Sequence, residues 1–165
     1  MENKKVLAII PARGGYKVIK NKNIINILGK PLISYVCNAA KKADCFDELI
    51  LSSDNEKIIT TAKKFGIDAP FIRPKELAKD ETLIIEVISH ALKWFEKRRK
   101  ITFDYVCLLQ PTAPLAKKED YEKAVKMAIE NNADTVITTY KCGQLHPSIM
   151  YTREKSGKVD WFVKK

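Results

Sequence analysis

The chain of 165 residues is 45% hydrophobic and 30% charged, with a formal charge of +10. That length suits one domain burying about 68–70% of the surface its unfolded chain would expose, and apolar residues spread along the whole chain exclude a disordered tail. No apolar run approaches the ~18 residues of a membrane-crossing helix, and Met1-Glu2-Asn3-Lys4-Lys5 ahead of Val6–Ile10 does not read as a signal peptide, so a cytoplasmic protein is expected.

Val6-Leu-Ala-Ile-Ile10 is predicted to be a buried strand. From Pro31 to Lys42, Leu32, Ile33, Val36, Ala39 and Ala40 recur at helical spacing, with Pro31 suited to the first turn. Glu48–Ser52 reads as a second strand. Ser53-Asp54-Asn55-Glu56 then offers a capping box to a helix carrying Ile58, Ile59, Ala62 and Phe65, stopped by Gly66. A short extended segment, Ile67–Ile72, runs to Arg73-Pro74. The next helix shows one apolar stripe through Leu83, Ile84, Val87, Ile88, Ala91, Leu92 and Phe95, with Asp80 as its expected cap. Tyr105–Leu109 has the near-continuous apolar character of a strand covered on both faces. A helix with Tyr121, Ala124, Val125, Ala128 and Ile129 in register follows. Asp134–Tyr140 is expected to be another strand, and Val159–Val163 a last one.

Strands separated by single helices imply an α/β fold. It is Rossmann-like and doubly wound, with a mostly parallel sheet, helices on both faces and right-handed crossovers. After Tyr140 the pattern breaks up, and the chain ends at Trp161-Phe-Val-Lys-Lys165 without a closing helix, as if cut off. Cys37, Cys45, Cys107 and Cys142 lack the clustered spacing of a zinc site and are expected to be reduced, mostly core residues. Of the 30 basic residues 25 are Lys, most of them scattered over helices. Specific nucleic-acid readers concentrate Arg and aromatic residues on one element, so a basic nucleic-acid-associated protein is the weaker alternative. The dense run Lys97-Arg98-Arg99-Lys100 suits a helix C-terminus.

Ligands of open parallel sheets bind beyond the carboxyl ends of the strands. The loop after the first strand, Pro11 to Asn23, holds adjacent Gly14 and Gly15, which can take positive φ and turn consecutive N–H groups toward an anion. Arg13 can fork onto phosphate oxygens, and Lys17, Lys20 and Lys22 add point charges. The loop is neither a dinucleotide-binding nor a Walker-type glycine pattern. A solvated basic turn is its plain alternative.

Ile9-Ile-Pro-Ala-Arg-Gly-Gly-x-Lys17, Lys22-Asn23-Ile24 and Gly29-Lys-Pro-Leu-Ile33 together resemble the opening of the acylneuraminate cytidylyltransferases. The resemblance continues through Ser52-Ser53-Asp54, Phe71-Ile-Arg-Pro-Lys-Glu-Leu-Ala78 with Asp80, Leu108-Leu-Gln-Pro-Thr-Ala-Pro-Leu115, and His146-Pro147, in the family's order and spacing. It implies a nucleotide-diphospho-sugar transferase type of fold and transfer of CMP from CTP to a sialic-acid-like nonulosonic acid, with release of pyrophosphate. It further implies that Arg13 and Lys22 are catalytic. Arg13, Gly14, Gly15, Lys17, Lys22, Asn23, Arg73 and Thr82 would bind the nucleotide, and Gln110 and Thr112 the acidic nine-carbon sugar. The alternatives for Arg73 and Gln110 are a surface ion pair with Glu76 and a loop residue bonding the backbone.

The chain also departs from the family. Tyr16 stands where a small Ser is usual, Val18 and Lys20 replace a Gly or Arg and a Pro, and Glu81-Thr82-Leu83-Ile84 replaces a Thr-Ala-Ser-Ser type run. Mg²⁺ is implied as cofactor, but the family's metal-binding aspartates would lie past residue 165, and Asp54, Asp80 and Asp104 are isolated in sequence. Residues 1–165 are accordingly expected to form one nucleotidyltransferase-like domain. Within it, 141–165 would begin the region through which such proteins form homodimers. A shortened, catalytically impaired nucleotide-binding homologue is the alternative to an active transferase.

Overall fold

The computed structural model describes residues 4–15, 19, 21–139 and 150–162. Strand β1 (Val6–Pro11) is the centre of a three-stranded parallel sheet, flanked by β4 (Glu48–Ser52) on one side and β5 (Tyr105–Leu108) on the other. Its register sets Ile9 opposite both Ile50 and Leu108. As the middle strand, β1 is buried on both faces, which explains why its sequence is an unbroken apolar run.

The two faces separate by the strand's two-residue period. Ala8, Ile10, Leu51, Cys107 and Leu109 face a layer built from α1 (Leu32–Lys41), α2 (Glu56–Lys64) and α4 (Lys118–Glu130). Leu7, Ile9, Ile50 and Val106 face Ala91 and Phe95 of α3 (Ile84–Arg99). Phe95 is fully buried and meets Trp94 and Phe103 edge to face at centroid distances of 5.2 and 5.1 Å, geometry that favours aromatic pairs beyond their buried area. The expected α/β layering, with helices on both faces, is what the chain adopts.

Several local expectations shift. Strands β2 (Asn26–Ile27) and β3 (Lys30–Pro31) form a small hairpin ahead of α1. Its turn residues Leu28 and Gly29 both have positive φ, of 50° and 82°, as a tight two-residue hairpin turn requires. The α2 cap is Asn55 rather than Ser53: its side-chain oxygen accepts from the N–H of Lys57 and Ile58 at 2.9 and 3.3 Å. Gly66, at φ 74°, stops this helix as expected. Asp80 does not cap α3; Glu86 takes the Leu83 N–H at 2.8 Å instead, and Asp80 is engaged elsewhere. The α3 stripe is buried at Val87, Ala91 and Phe95, while Leu83 at the N-cap and Ile84 in the first turn are exposed.

No strand forms over 134–139, where Ile137 is 74% exposed; without a partner to cover its side chains, the apolar alternation there stabilises no ladder. Tyr140 lies outside the described residues. The expected last strand is shorter, β7 (Val159–Trp161), and pairs antiparallel with β6 (Tyr151–Arg153) in a hairpin of its own. Among the described residues no helix is long and apolar enough to cross a membrane.

Cys37, Cys45 and Cys107 are free thiols, buried or half-buried. Burial pushes their pKa up to about 12, about 11 and about 11, so at neutral pH they are inert thiols rather than nucleophiles or metal ligands. In the basic run closing α3, Arg99 lies over the Trp94 ring at 5.5 Å and pairs with Glu48 at 3.0 Å. That position serves the fold.

Candidate functional site

Parallel strands end at one edge of a sheet, so the loops leaving β1, β4 and β5 gather there. A cleft of about 280 Å³ opens at this edge. Arg13, Lys22, Asn23, Arg73, Thr82, Gln110 and Thr112 all line it, although they come from four separate stretches of sequence. Of the remaining expected residues, Gly14 and Gly15 stand outside the lining, and Lys17 lies outside the described residues, as does Tyr16.

The first loop is held by contacts that sequence alone does not disclose. Ala12 continues the strand pairing through an N–H bond to the Ser52 carbonyl at 3.0 Å. Asn23, 3% exposed, donates from Nδ2 to the Arg13 carbonyl at 3.0 Å, which fixes the backbone beneath the Arg13 side chain. The Gly14 N–H points at an anion, the Asp54 carboxylate, at 3.0 Å. Neither Gly14 nor Gly15 has positive φ, contrary to the expectation for this loop. Gly14 is instead required by proximity: a Cβ there would lie 2.5 Å from Asn55 Nδ2 and 2.9 Å from Asn55 Cβ, whereas at Gly15 nothing lies within 4 Å.

Arg73 is 4% exposed, so a surface pair with Glu76 is excluded. Its Nε donates to Ser52 Oγ at 3.1 Å, one terminal nitrogen to the Ser52 carbonyl, and the other to the Leu77 carbonyl at 3.4 Å. Burial pushes its pKa down to about 10; the Asp54 charge works against that shift and the Arg13 charge adds to it. Both guanidinium groups line the cleft, and the Arg13 charge adds to the disfavouring of a charged Arg73. His90, half-buried against the Phe71 ring at 4.7 Å, is also held below its ordinary pKa, first by burial and then by Arg73.

Beyond Arg73 the chain makes a turn of 3-10 helix, Lys75–Ala78, and a short loop that returns to α3. The Thr82 hydroxyl closes this loop, accepting from the Lys79 N–H at 3.2 Å and donating to the Glu76 carbonyl at 3.3 Å. Asp80, on the same loop, pairs with Arg13 at 2.6 Å. Leu77, Ile84 and Val87 add an apolar wall. A pocket lined by several cations, apolar side chains and the amides of Asn23 and Gln110 suits a ligand with a polyanionic end and a flat or carbon-rich end.

The family model described as Cytidylyltransferase matches residues 7–158. This chain belongs to the cytidylyltransferase family. It is 46% identical over 129 residues to the pseudaminic acid cytidylyltransferase of Campylobacter jejuni subsp. jejuni serotype O:2, covering 78% of this chain and 55% of that protein. To the N-acylneuraminate cytidylyltransferase of Escherichia coli O18:K1:H7 it is 37% identical over 123 residues, 74% of this chain and 28% of the relative. The chain therefore spans about half the length, or less, of these curated relatives. Among solved structures, CMP:2-keto-3-deoxy-manno-octonic acid synthetase complexed with CTP superposes with a TM-score of 0.64 at 22% identity, covering 78% of this chain and 49% of the other. At that identity the likeness is one of fold.

The cytidylyltransferase resemblance implied Mg²⁺, an ion commonly held by one or two carboxylates together with substrate phosphates. Among the described residues no group of three or more His, Cys, Asp or Glu side chains could hold a metal ion, and the cleft carboxylate Asp80 faces a guanidinium. Sequence reasoning missed Lys79 as a lining residue and took Asp80 for a helix cap. The signal was present in the Leu77-Ala-Lys-Asp80 segment beside Arg73, but only the return of that loop across the cleft gives it meaning.

Proposed function

We propose that this chain carries the nucleotide-binding part of an enzyme that transfers CMP from CTP to an acidic nonulosonic sugar. In this reaction a sugar hydroxyl oxygen forms a bond to the α-phosphorus of CTP, the bond from that phosphorus to the bridging oxygen breaks, and pyrophosphate leaves. The observation that carries the reading is the convergence of Arg13, Lys22, Arg73 and Lys79 on one cleft at the carboxyl ends of the parallel strands. Phosphoryl transfer asks the protein mainly to position reactants and to stabilise charge on phosphoryl oxygens.

In this scheme Arg13 and Lys22 face the phosphates. Gly14 serves the loop rather than the ligand, since its N–H is taken by Asp54. Asn23 shapes the loop from beneath, and Arg73 braces the floor through Ser52. Thr82 holds the loop that edges the nucleotide, and Gln110 and Thr112, whose side chains meet at 3.4 Å, face the sugar. Pseudaminic acid is named for the relative at 46% identity, and N,N'-diacetyllegionaminic acid and N-acylneuraminate for relatives at 37% identity, so these three kinds of acid form the assay panel. The same reading makes the protein a cytoplasmic homodimer, with 141–165 as the start of the pairing region.

Calorimetric titration with CTP tests the site. The protein is expected to bind CTP, and Arg13→Ala to weaken binding by about 1.5–3 kcal/mol, the scale of a charge-assisted hydrogen bond. Unchanged affinity in that variant refutes the assignment of the cleft. Pyrophosphate release in the presence of CTP and each acid then reads the transfer itself.

A further inference from the structure

Two donors of the first loop, Arg13 and the Gly14 N–H, face carboxylates of the same chain. Asp80 Oδ1 lies 2.6 Å from an Arg13 terminal nitrogen, and Asp54 Oδ1 takes the Gly14 N–H at 3.0 Å. The two acids differ in position. Asp80 lines the cleft and its side chain is 42% exposed, while that of Arg13 is 20% exposed. Of this pair, the carboxylate is the partner that can return to water with little loss of solvation. Asp80 sits on a loop closed by the Thr82 hydroxyl and by the Thr82 N–H to the Lys79 carbonyl at 3.4 Å, and the other Arg13 terminal nitrogen donates to the Ala78 carbonyl of that loop at 3.5 Å. The Arg13 charge disfavours that of Arg73, so a carboxylate on Arg13 offsets repulsion that a bound polyphosphate would otherwise relieve.

We infer that Asp80 is an internal counter-anion on Arg13 that must yield the guanidinium to the incoming phosphates, so that this carboxylate sets the nucleotide affinity of the cleft. The inference rests on the proposed function and extends it. A triphosphate entering the cleft meets Asp80 as a like charge and competes with it for the same two-pronged donor. Asp80 is thus a positioning residue: it keeps the Arg13 side chain aimed into the cleft when no ligand is present and lowers affinity by the amount of that competition.

Calorimetry with CTP, and with tripolyphosphate as a nucleoside-free probe, separates this from a purely structural role. Asp80→Asn is expected to bind both probes about three- to tenfold more tightly, as loss of a part-exposed charge competitor allows. The gain should shrink as ionic strength rises. Asp80→Glu, which keeps the charge, should return affinity to near the wild-type value. In an Arg13→Ala background the asparagine substitution should give little gain, because the competition has lost its object. Thermal unfolding confirms that each variant is folded, and Asp80→Ser serves in place of the asparagine variant if that one is not. If wild-type protein binds CTP but Asp80→Asn binds no more tightly, or gains equally with and without Arg13, the counter-anion role is overturned and the CTP site stands. If neither wild type nor Asp80→Asn takes up CTP or tripolyphosphate, both fall.

Discussion

Two neighbouring glycines in the first loop should respond oppositely to the same substitution. An alanine Cβ at position 14 would lie 2.9 Å from Asn55 Cβ and 2.5 Å from its Nδ2. The amide end could rotate away, but Asn55 Cβ is tied to the backbone at the start of α2, so the loop or the helix must shift. Displacing Asn55 endangers its bonds to the N–H groups of Lys57 and Ile58, and losing an N-cap costs about 1 kcal/mol. Forcing an added methyl group into a packed site costs about 1–3 kcal/mol. Gly14→Ala is therefore expected to lose about 2–4 kcal/mol. At position 15 the Cβ meets nothing within 4 Å and φ is not positive, so Gly15→Ala should be neutral or stabilising by about 0.4–1 kcal/mol through the unfolded chain. Urea denaturation of both variants measures the difference. With m about 1–3 kcal/mol/M, their midpoints should separate by about 1 M or more. Equal midpoints would refute the claim that close approach, rather than backbone freedom, requires glycine at 14.

Arg73→Lys should destabilise the fold by about 2 kcal/mol, since lysine cannot fork onto the Ser52 hydroxyl and carbonyl and leaves a buried acceptor unpaired. For a domain of this size that corresponds to a melting temperature lower by about 4–8 °C, measured by circular dichroism, and a shift below 1 °C would place Arg73 outside the scaffold. Alkaline pH should also weaken the fold. Cys37, Cys45 and Cys107 titrate at about 12, about 11 and about 11 when folded, against 9.0 for an ordinary thiol. Between pH 9 and about 11 the native protein keeps thiol protons that the unfolded chain has released, so stability is intact below pH 9 and falls through that window. Urea midpoints from pH 8 to 11 check the sign. A Cys142→Ser protein should resist thiol-labelling reagents at pH 8 until it is unfolded.

Much of the fold was legible because burial writes itself into local patterns. The central strand must be apolar on both faces, and Val6–Ile10 is. Helices that cover one face of a sheet must show a 3.6-residue stripe, and Val87, Ala91 and Phe95 lie on theirs. The Asp134–Tyr140 expectation went astray over 134–139 because alternation alone cannot supply the neighbour that a strand requires. The first turn of α3 likewise continues an apolar pattern past the point where anything covers it.

Topology and residue type singled out the Arg13 loop in the sequence, because parallel strands carry the loops that follow them to a common edge; the roles of Lys22, Asn23, Arg73, Thr82, Gln110 and Thr112 came from the family resemblance, and the folded chain brings all of these residues to one cleft. Three features were settled only by the folded chain: the burial of Arg73 onto Ser52, the demand for glycine at 14, and the pairing of Asp80 with Arg13. Each is a distance between residues far apart in the chain. Periodicity and composition describe neighbours along a chain, whereas hydrogen bonds, steric contacts and charge pairs depend on separation in space, and packing of the layers sets those separations.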